Sequence, residues 1–331
     1  MAYSQFYMIG TGVGSNLNSG STSSGTATYT STSGTWSTVT NIFVPTDGST
    51  PASSVNVGDW VSIYPNANTT TPFIAQVTAV AAGVNGGITV STTNIFGTAP
   101  TTAVGTISLK AGGAWADLAM LASGVALNTG TIAQSTQINV KASTYANTTT
   151  SRTFALNGTT IFPLWWRGYQ TTPGDWDGIP NPTLGTNVPL FTGTTGVFVA
   201  SGNYQLFYSM AFTSGTTTST TTFTPSGSHI RLFGVQVATT STNSGALAFS
   251  NNSLYGTVKF CAFTAPTTAN FATQIGGSGL QTYDCVSISG GITGFRSQQF
   301  TAILNNILIY GQAGDSILCT TGQLDINYIA I

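Results

Sequence analysis

Chemistry at a single bond needs titratable side chains brought together, and this sequence carries few of them. Its eight acidic residues are all aspartates: Asp47, Asp59, Asp117, Asp175, Asp177, Asp284, Asp315 and Asp325. The bases are Lys110, Lys141, Lys259, Arg152, Arg167, Arg231 and Arg296, and His229 is the single histidine. Glycoside cleavage by the usual route sets two carboxylates roughly 5–10 Å apart across one bond. The last hundred residues offer only Asp284, Asp315 and Asp325, well separated in the chain. No acid stands in an evident partner position for His229, so a serine triad finds no support. Cys261, Cys285 and Cys319 are odd in number and widely spaced, matching neither a zinc pattern nor a disulfide framework. They are expected to be buried free thiols. Gly12-Val13-Gly14 lacks the strand–helix context of a phosphate loop. The reading is therefore a non-enzymatic protein with no catalytic residues, no metal and no cofactor.

One cluster stands out. Phe162-Pro163-Leu164-Trp165-Trp166-Arg167-Gly168-Tyr169 is followed by Pro173-Gly174-Asp175-Trp176-Asp177-Gly178. Trp, Tyr and Arg dominate binding hot spots. Trp165, Trp166, Arg167, Tyr169, Asp175, Trp176 and Asp177 are thus the candidate residues for binding a glycan or a partner. The plainer alternative is a loop packed on its neighbours, with Arg167 paired to Asp175 or Asp177.

The elements that position these residues must be strands. Only 5% of the sequence is charged, against about 25% in ordinary domains. Thr, Ser, Gly, Asn and β-branched residues replace the long helix-forming side chains. Hydrophobic residues still make up 41%, enough to build a core. The exterior is then one of hydroxyls and amides with a net charge of −1. Such a surface gives little repulsion between copies and suits a subunit of an assembly. It does not suit nucleic acid, which needs a Lys/Arg stripe. No apolar run is long enough for a membrane helix. Met1 to Gly14 has no basic residue and no long apolar stretch, so no secretory signal is expected and folding in a host cytoplasm is.

Four regions follow along the chain. Residues 1–35, rich in Gly, Ser and Thr, read as a flexible assembly arm. Residues 36–110 read as a small barrel or sandwich for attachment, with strands near Thr40–Val44, Trp60–Tyr64, Phe73–Val80, Gly87–Val90 and Val104–Leu109. Asp59 reads as a turn cap. Residues 111–135 read as a linker with a capping helix from Trp115 to about Ala126, on the spacing of Trp115, Leu118 and Leu121. Residues 136–331 carry a repeat.

That repeat aligns five segments through Gly234, Cys261, Cys285, Asn306 and Tyr328, spaced by 27, 24, 21 and 22 residues. The next position reads Val235, Ala262, Val286, Ile307, Ile329, and two further on Val237, Thr264, Ile288, Ile309, Ile331. Two apolar columns two residues apart face one side of a strand. Coils of this length stacked on one another make a parallel β-helix. In the first column Cys261, Cys285 and Asn306 would stack between coils as packing residues. An antiparallel meander with similar spacing is the alternative, but tight hairpin turns are scarce. The chain stops within an apolar strand, Ile329-Ala330-Ile331, and the last coil is expected to be covered by another copy or protein.

Ile138-Asn139-Val140-Lys141, Ser143-Thr144-Tyr145 and Phe154-Ala155-Leu156-Asn157-Gly158-Thr159 resemble the opening coil of pectin-lyase-like right-handed parallel β-helices. The whole resembles a virion protein of tailed phages. The resemblance implies an all-β fold, with a small N-terminal barrel or sandwich followed by a right-handed parallel β-helix. It also implies a capsid decoration or fibre built as a homotrimer, located on the virion. The partners implied are other copies, other virion proteins and a host glycan, with neither nucleic acid nor membrane. Two other functions stay open: a tailspike-type protein that binds or cleaves polysaccharide, and a self-polymerising extracellular filament or surface protein.

Overall fold

The computed structural model describes residues 4–331 except 11, 66–71, 93–96, 98, 101–105, 118–134, 148–150, 176–185, 194–196, 216–220, 244, 277–278, 299–300 and 322. It is all-β and divides into two compact units, Met1–Val140 and Lys141–Ile331.

The first unit contains β1 (Ser4–Met8), β2 (Ala27–Ser37), β3 (Ile42–Pro45), β4 (Trp60–Pro65), β5 (Phe73–Val80), β6 (Ile88–Val90), β7 (Ile107–Gly112) and β8 (Thr136–Lys141). Six of them close a barrel in the order β2-β3-β6-β5-β4-β7. Closure removes exposed sheet edges. Alternate residues fill the interior, among them Trp36, Phe43, Val61, Ile63, Phe73, Ile88 and Leu109. β3 to β7 lie where the alternating apolar segments of residues 36–110 place them. β2 does not announce itself, because two of its four inward residues are Ser31 and Gly34 beside Tyr29 and Trp36. Its bulge between Ser31 and Gly34 shifts the pairing with β7 and hides the alternation further. Asp59 caps its turn by accepting the Asn56 N–H at 2.8 Å. Another carboxylate, Asp47, ties β2 to the loop after β3. It accepts from Ser31 Oγ at 2.9 Å, the Thr32 N–H at 2.8 Å and Ser49 Oγ at 2.6 Å.

The stretch expected as a flexible arm is structured instead. β1 pairs in parallel with β8, from Ser4 opposite Thr136 to Met8 opposite Val140. Phe6 stacks on Trp115 at 5.3 Å, and β2 is a barrel strand. Two short apolar anchors, Phe6 and Met8, both fully buried, suffice to fix the polar chain around them. Trp115 bridges Met8 as strand rather than opening a helix. The rest of the expected capping helix, from Leu118 on, lies outside the described residues.

The second unit is a parallel β-solenoid within a fold of about seven turns. Three ladders run along it. The first stacks Leu164–Tyr169, Gln205–Tyr208, Ile230–Phe233, Gly256–Lys259, the starts of Gln281–Ser289 and Thr301–Tyr310, and Gln323–Ile326. The second stacks Thr144–Asn147, Leu190–Gly193, Ala211–Ser214, Gln236–Thr239, Ala262–Thr264, the ends of the two long strands, and Ile329–Ala330. The third runs from Arg152–Phe154 to Ile317–Cys319. Every strand pair among the described residues of the solenoid is parallel, which excludes the meander.

The register corrects the alignment drawn from sequence at one point. Phe233 pairs with Lys259 and Gln236 with Ala262, so Gly234 stacks on Phe260 and Val235 on Cys261. The coil is 26 residues long there, one fewer than assumed. With that shift the inner columns become uniformly apolar: Val235, Cys261, Val286 and Ile307 in one, Val237, Phe263, Ile288 and Ile309 in the other, all buried. Cys261 is therefore a core residue, whereas Cys285 and Asn306 stand at an exposed corner. The corner has a backbone cause. Ser209, Gly234, Phe260, Cys285 and Asn306 all have positive φ, from 52° to 66°. A left-handed residue turns the chain sharply from the first ladder into the second, leaving two residues between them. Gly suits it best and Asn well, while Phe and Cys adopt it at some cost. One coil earlier Gly168 stands at the same register position but within the strand and without a positive φ, the second ladder being reached only at Leu190; a Cβ on Gly168 would meet the Ser209 carbonyl at 1.9 Å.

Burial sustains the stack. Between coils Phe191 stacks on Phe212 at 5.2 Å and Phe223 on Phe249 at 6.3 Å, and across the interior Phe212 lies 4.4 Å from Phe223 and Phe249 4.3 Å from Phe263. Like lies over like about 4.8 Å apart, and the rings interlock along the axis.

Candidate functional site

Outward-facing residues of the first ladder also stack in columns. One column reads Trp165, Leu206, Arg231, Thr257, Thr282. The next reads Arg167, Tyr208, Phe233, Lys259, Asp284. At the corner before the ladder, Tyr204 and His229 stand over one another with ring centroids 4.5 Å apart, and Tyr255 follows His229 at 5.1 Å. Across the groove Trp165 stacks on Tyr208 at 5.3 Å and Tyr208 on Phe233 at 4.9 Å. Between these two aromatic rows runs a groove of about 520 Å³. Leu206 and Arg231 form its floor, and Thr159, Thr160, Pro163 and Thr257 complete it.

Charge is placed asymmetrically around it. Lys259 pairs with Asp284 at 3.3 Å. Asp284 also accepts from the Asn306 amide at 3.2 Å; that hydrogen bond, with Lys259, holds its carboxyl below the ordinary range despite partial burial. Arg231 is exposed and makes no ion pair or hydrogen bond with any described residue. His229 Nδ1 lies 2.6 Å from Ser228 Oγ.

The structure divides the candidate cluster. Trp165 reaches the groove, whereas Trp166 and Tyr169 point inward and are buried. Trp166 donates from Nε1 to Gln205 Oε1 at 3.1 Å and packs edge-on against Phe154. Arg167 is outward, with its guanidinium against Gly174. Asp175 does not meet Arg167. Burial works against its charge, but the N–H groups of Thr172, Gln170 and Thr171, at 2.5–2.8 Å, outweigh that and lower its pKa. It closes a loop. Trp176 and Asp177 lie outside the described residues.

Sequence reasoning missed Arg231, Tyr204, Tyr208, Phe233 and His229 as one surface. The signal was present: an aromatic or a cation stood at matching offsets in successive coils, but outward columns were not read alongside the inward ones.

The thiols do not converge. Cys261 is buried, and desolvation pushes its pKa up to about 12. Cys285 and Cys319 are exposed, against the expectation of buried thiols. Cys285 sits at the left-handed corner, and Cys319 in the third ladder. Asp284 and Asp325 occupy different columns two coils apart, roughly 10 Å along the axis. Among the described residues no group of three or more His, Cys, Asp or Glu is placed to hold a metal ion.

No family model, no curated protein and no solved structure matches this chain.

Proposed function

We propose that this protein is a non-enzymatic structural component of a tailed-phage particle, a capsid decoration or fibre in which solenoids associate side by side as a homotrimer. The observation that carries the reading is where apolar surface is left open. Leu254, Tyr255, Phe260, Leu280, Leu308 and Tyr310 are each 44–55% exposed on successive coils, Leu254, Tyr255 and Leu280 before the first ladder, Phe260 at the corner after it, and Leu308 and Tyr310 on the second. Monomeric proteins seldom expose such apolar groups together, and a neutral face can pack against its own copy without burying unpaired ions. The partners in this reading are further copies and other virion proteins, and the site of action is the particle.

The test is mass measurement in solution. The protein is expected to run as three times its 34.0 kDa chain mass at micromolar concentration, and Leu280→Glu with Leu308→Glu to shift it toward monomer. A native monomer at that concentration overturns the assembly reading. Peptides of this chain should also be recovered from purified particles, and their absence there overturns the virion assignment. A second reading, a glycan-binding tailspike-type protein, is favoured by the aromatic groove.

A further inference from the structure

From the groove on the first ladder we infer a binding site for an acidic oligosaccharide, with Arg231 as the residue that selects its carboxylate. This rests on the groove and not on the assembly reading. The groove extends over four coils, from Trp165 to Lys259, about 14 Å along the axis. Its walls are rings: Tyr204 and His229 on one side, Tyr208 and Phe233 on the other. Its rim and floor supply hydroxyls from Thr159, Thr160 and Thr257. A concave, mainly apolar surface with a few placed polar groups is the usual form of a ligand site.

The charges decide what kind of ligand fits. Among the described residues no acidic side chain lines the groove. Lys259 is already held by Asp284, so Arg231 is the cation left to act. A guanidinium presents a planar fork to a carboxylate and forms two parallel hydrogen bonds with it. An uncompensated cation between aromatic walls complements an anion carried on an otherwise neutral ligand with apolar faces.

Other ligands fit less well. Single-stranded nucleic acid needs a train of cations along its phosphates, and the groove has one that is unpaired. An extended peptide binds by adding to a sheet edge. Here the first ladder is paired on both sides, since Ile230–Phe233 lies between Gln205–Tyr208 and Gly256–Lys259. A sugar acid needs no backbone partner. It can pack its apolar ring faces along the edges of the Tyr208–Phe233 stack, reach the threonine hydroxyls, and set its carboxylate on Arg231.

Calorimetric titration with a four-residue oligouronate tests the inference, with the carboxyl-reduced oligosaccharide and tetraglutamate as comparisons. The oligouronate should bind saturably, the reduced form at least tenfold more weakly, and tetraglutamate not measurably. Arg231→Gln should weaken oligouronate binding at least tenfold, and Arg231→Lys by less. Tyr208→Ala should weaken both sugars alike. Arg231 is exposed, so unchanged thermal melting confirms that its variants fold. No saturable binding, equal binding of the reduced sugar, full binding by Arg231→Gln, or tetraglutamate binding as tightly as the oligouronate each overturns the inference. Sedimentation of the same samples reads the oligomeric state separately, so failure of the trimer reading is distinguishable from failure of this one.

Discussion

The barrel and the solenoid bury apolar side chains by different means. In the barrel each inward residue meets a different set of neighbours: Trp36 packs edge-on to Phe73 at 5.9 Å, in a cluster closed on itself. In the solenoid each inward residue lies over its counterpart from the coil before, so that Phe198, Phe223 and Phe249 form one column and Phe191 lies over Phe212 in another. A barrel defect is confined by closure. A solenoid defect faces a neighbour above and a neighbour below, as expected for a quasi-one-dimensional stack.

The largest effects should come from breaking the two cores separately. Phe223→Ala and Trp36→Ala should each cost about 3–5 kcal/mol. Calorimetry should show Phe223→Ala lowering the transition of the solenoid and Trp36→Ala that of the barrel. A single transition moved equally by both would abolish the contrast.

Next in size is the buried polar lattice of the solenoid. Gln281 accepts from Asn251 Nδ2 at 2.8 Å, and Asn251 Nδ2 also meets the Tyr283 hydroxyl at 3.0 Å. Gln281 also donates to the Ser253 carbonyl. Gln281→Leu would leave buried groups without partners and should cost about 1–3 kcal/mol, read by denaturant titration.

The barrel's electrostatic counterpart is Asp47. Desolvation opposes its charge, but hydrogen bonds from Ser49, Ser31 and the Thr32 backbone bring its pKa down to about 2. Because its folded value lies below its ordinary one, its contribution is present above pH 4 and is lost as pH falls toward 2. Allowing for solvent screening, Asp47→Asn should cost about 1 kcal/mol at pH 7. The gap between variant and native melting curves should close by pH 2.

The smallest effect should be a gain. Cys285 holds φ 53° at an exposed corner, and Cys285→Gly should stabilise by about 0.5–1 kcal/mol. A thermal melt shifted downward would show that Cys285 contributes there by its side chain instead.

Much of the solenoid was legible because its inward columns repeat. Val286 over Ile307 and Ile288 over Ile309 are apolar in the sequence and stacked in space. The one-residue slip at Cys261 was not legible, since Cys261 and Ala262 are both small and apolar enough to fill the same slot. Nor was β2, whose inward Ser31 and Gly34 carry no hydrophobic signal. Of the candidate site, Trp165 was found by aromatic density alone. Arg231 was not, because a lone arginine means little until the register sets it between two rows of rings. Trp166 shows the opposite error: the same density pointed to a residue that belongs to the core.

From Ser209 onward the corner between the first and second ladders keeps two residues, yet the distance from one corner to the next falls from 26 residues, Gly234 to Phe260, to 21, Cys285 to Asn306. One coil before Ser209 residues 170–189 are inserted at the corner itself, whereas over these later coils the variation in length is taken up on the far side, among the third ladder and its flanking turns. Segments there can lengthen, shorten or be replaced by unrelated peptide while the front of the molecule keeps its spacing. The solenoid behaves as a ruled scale with interchangeable backing, a property suited to grafting new loops without disturbing the surface opposite.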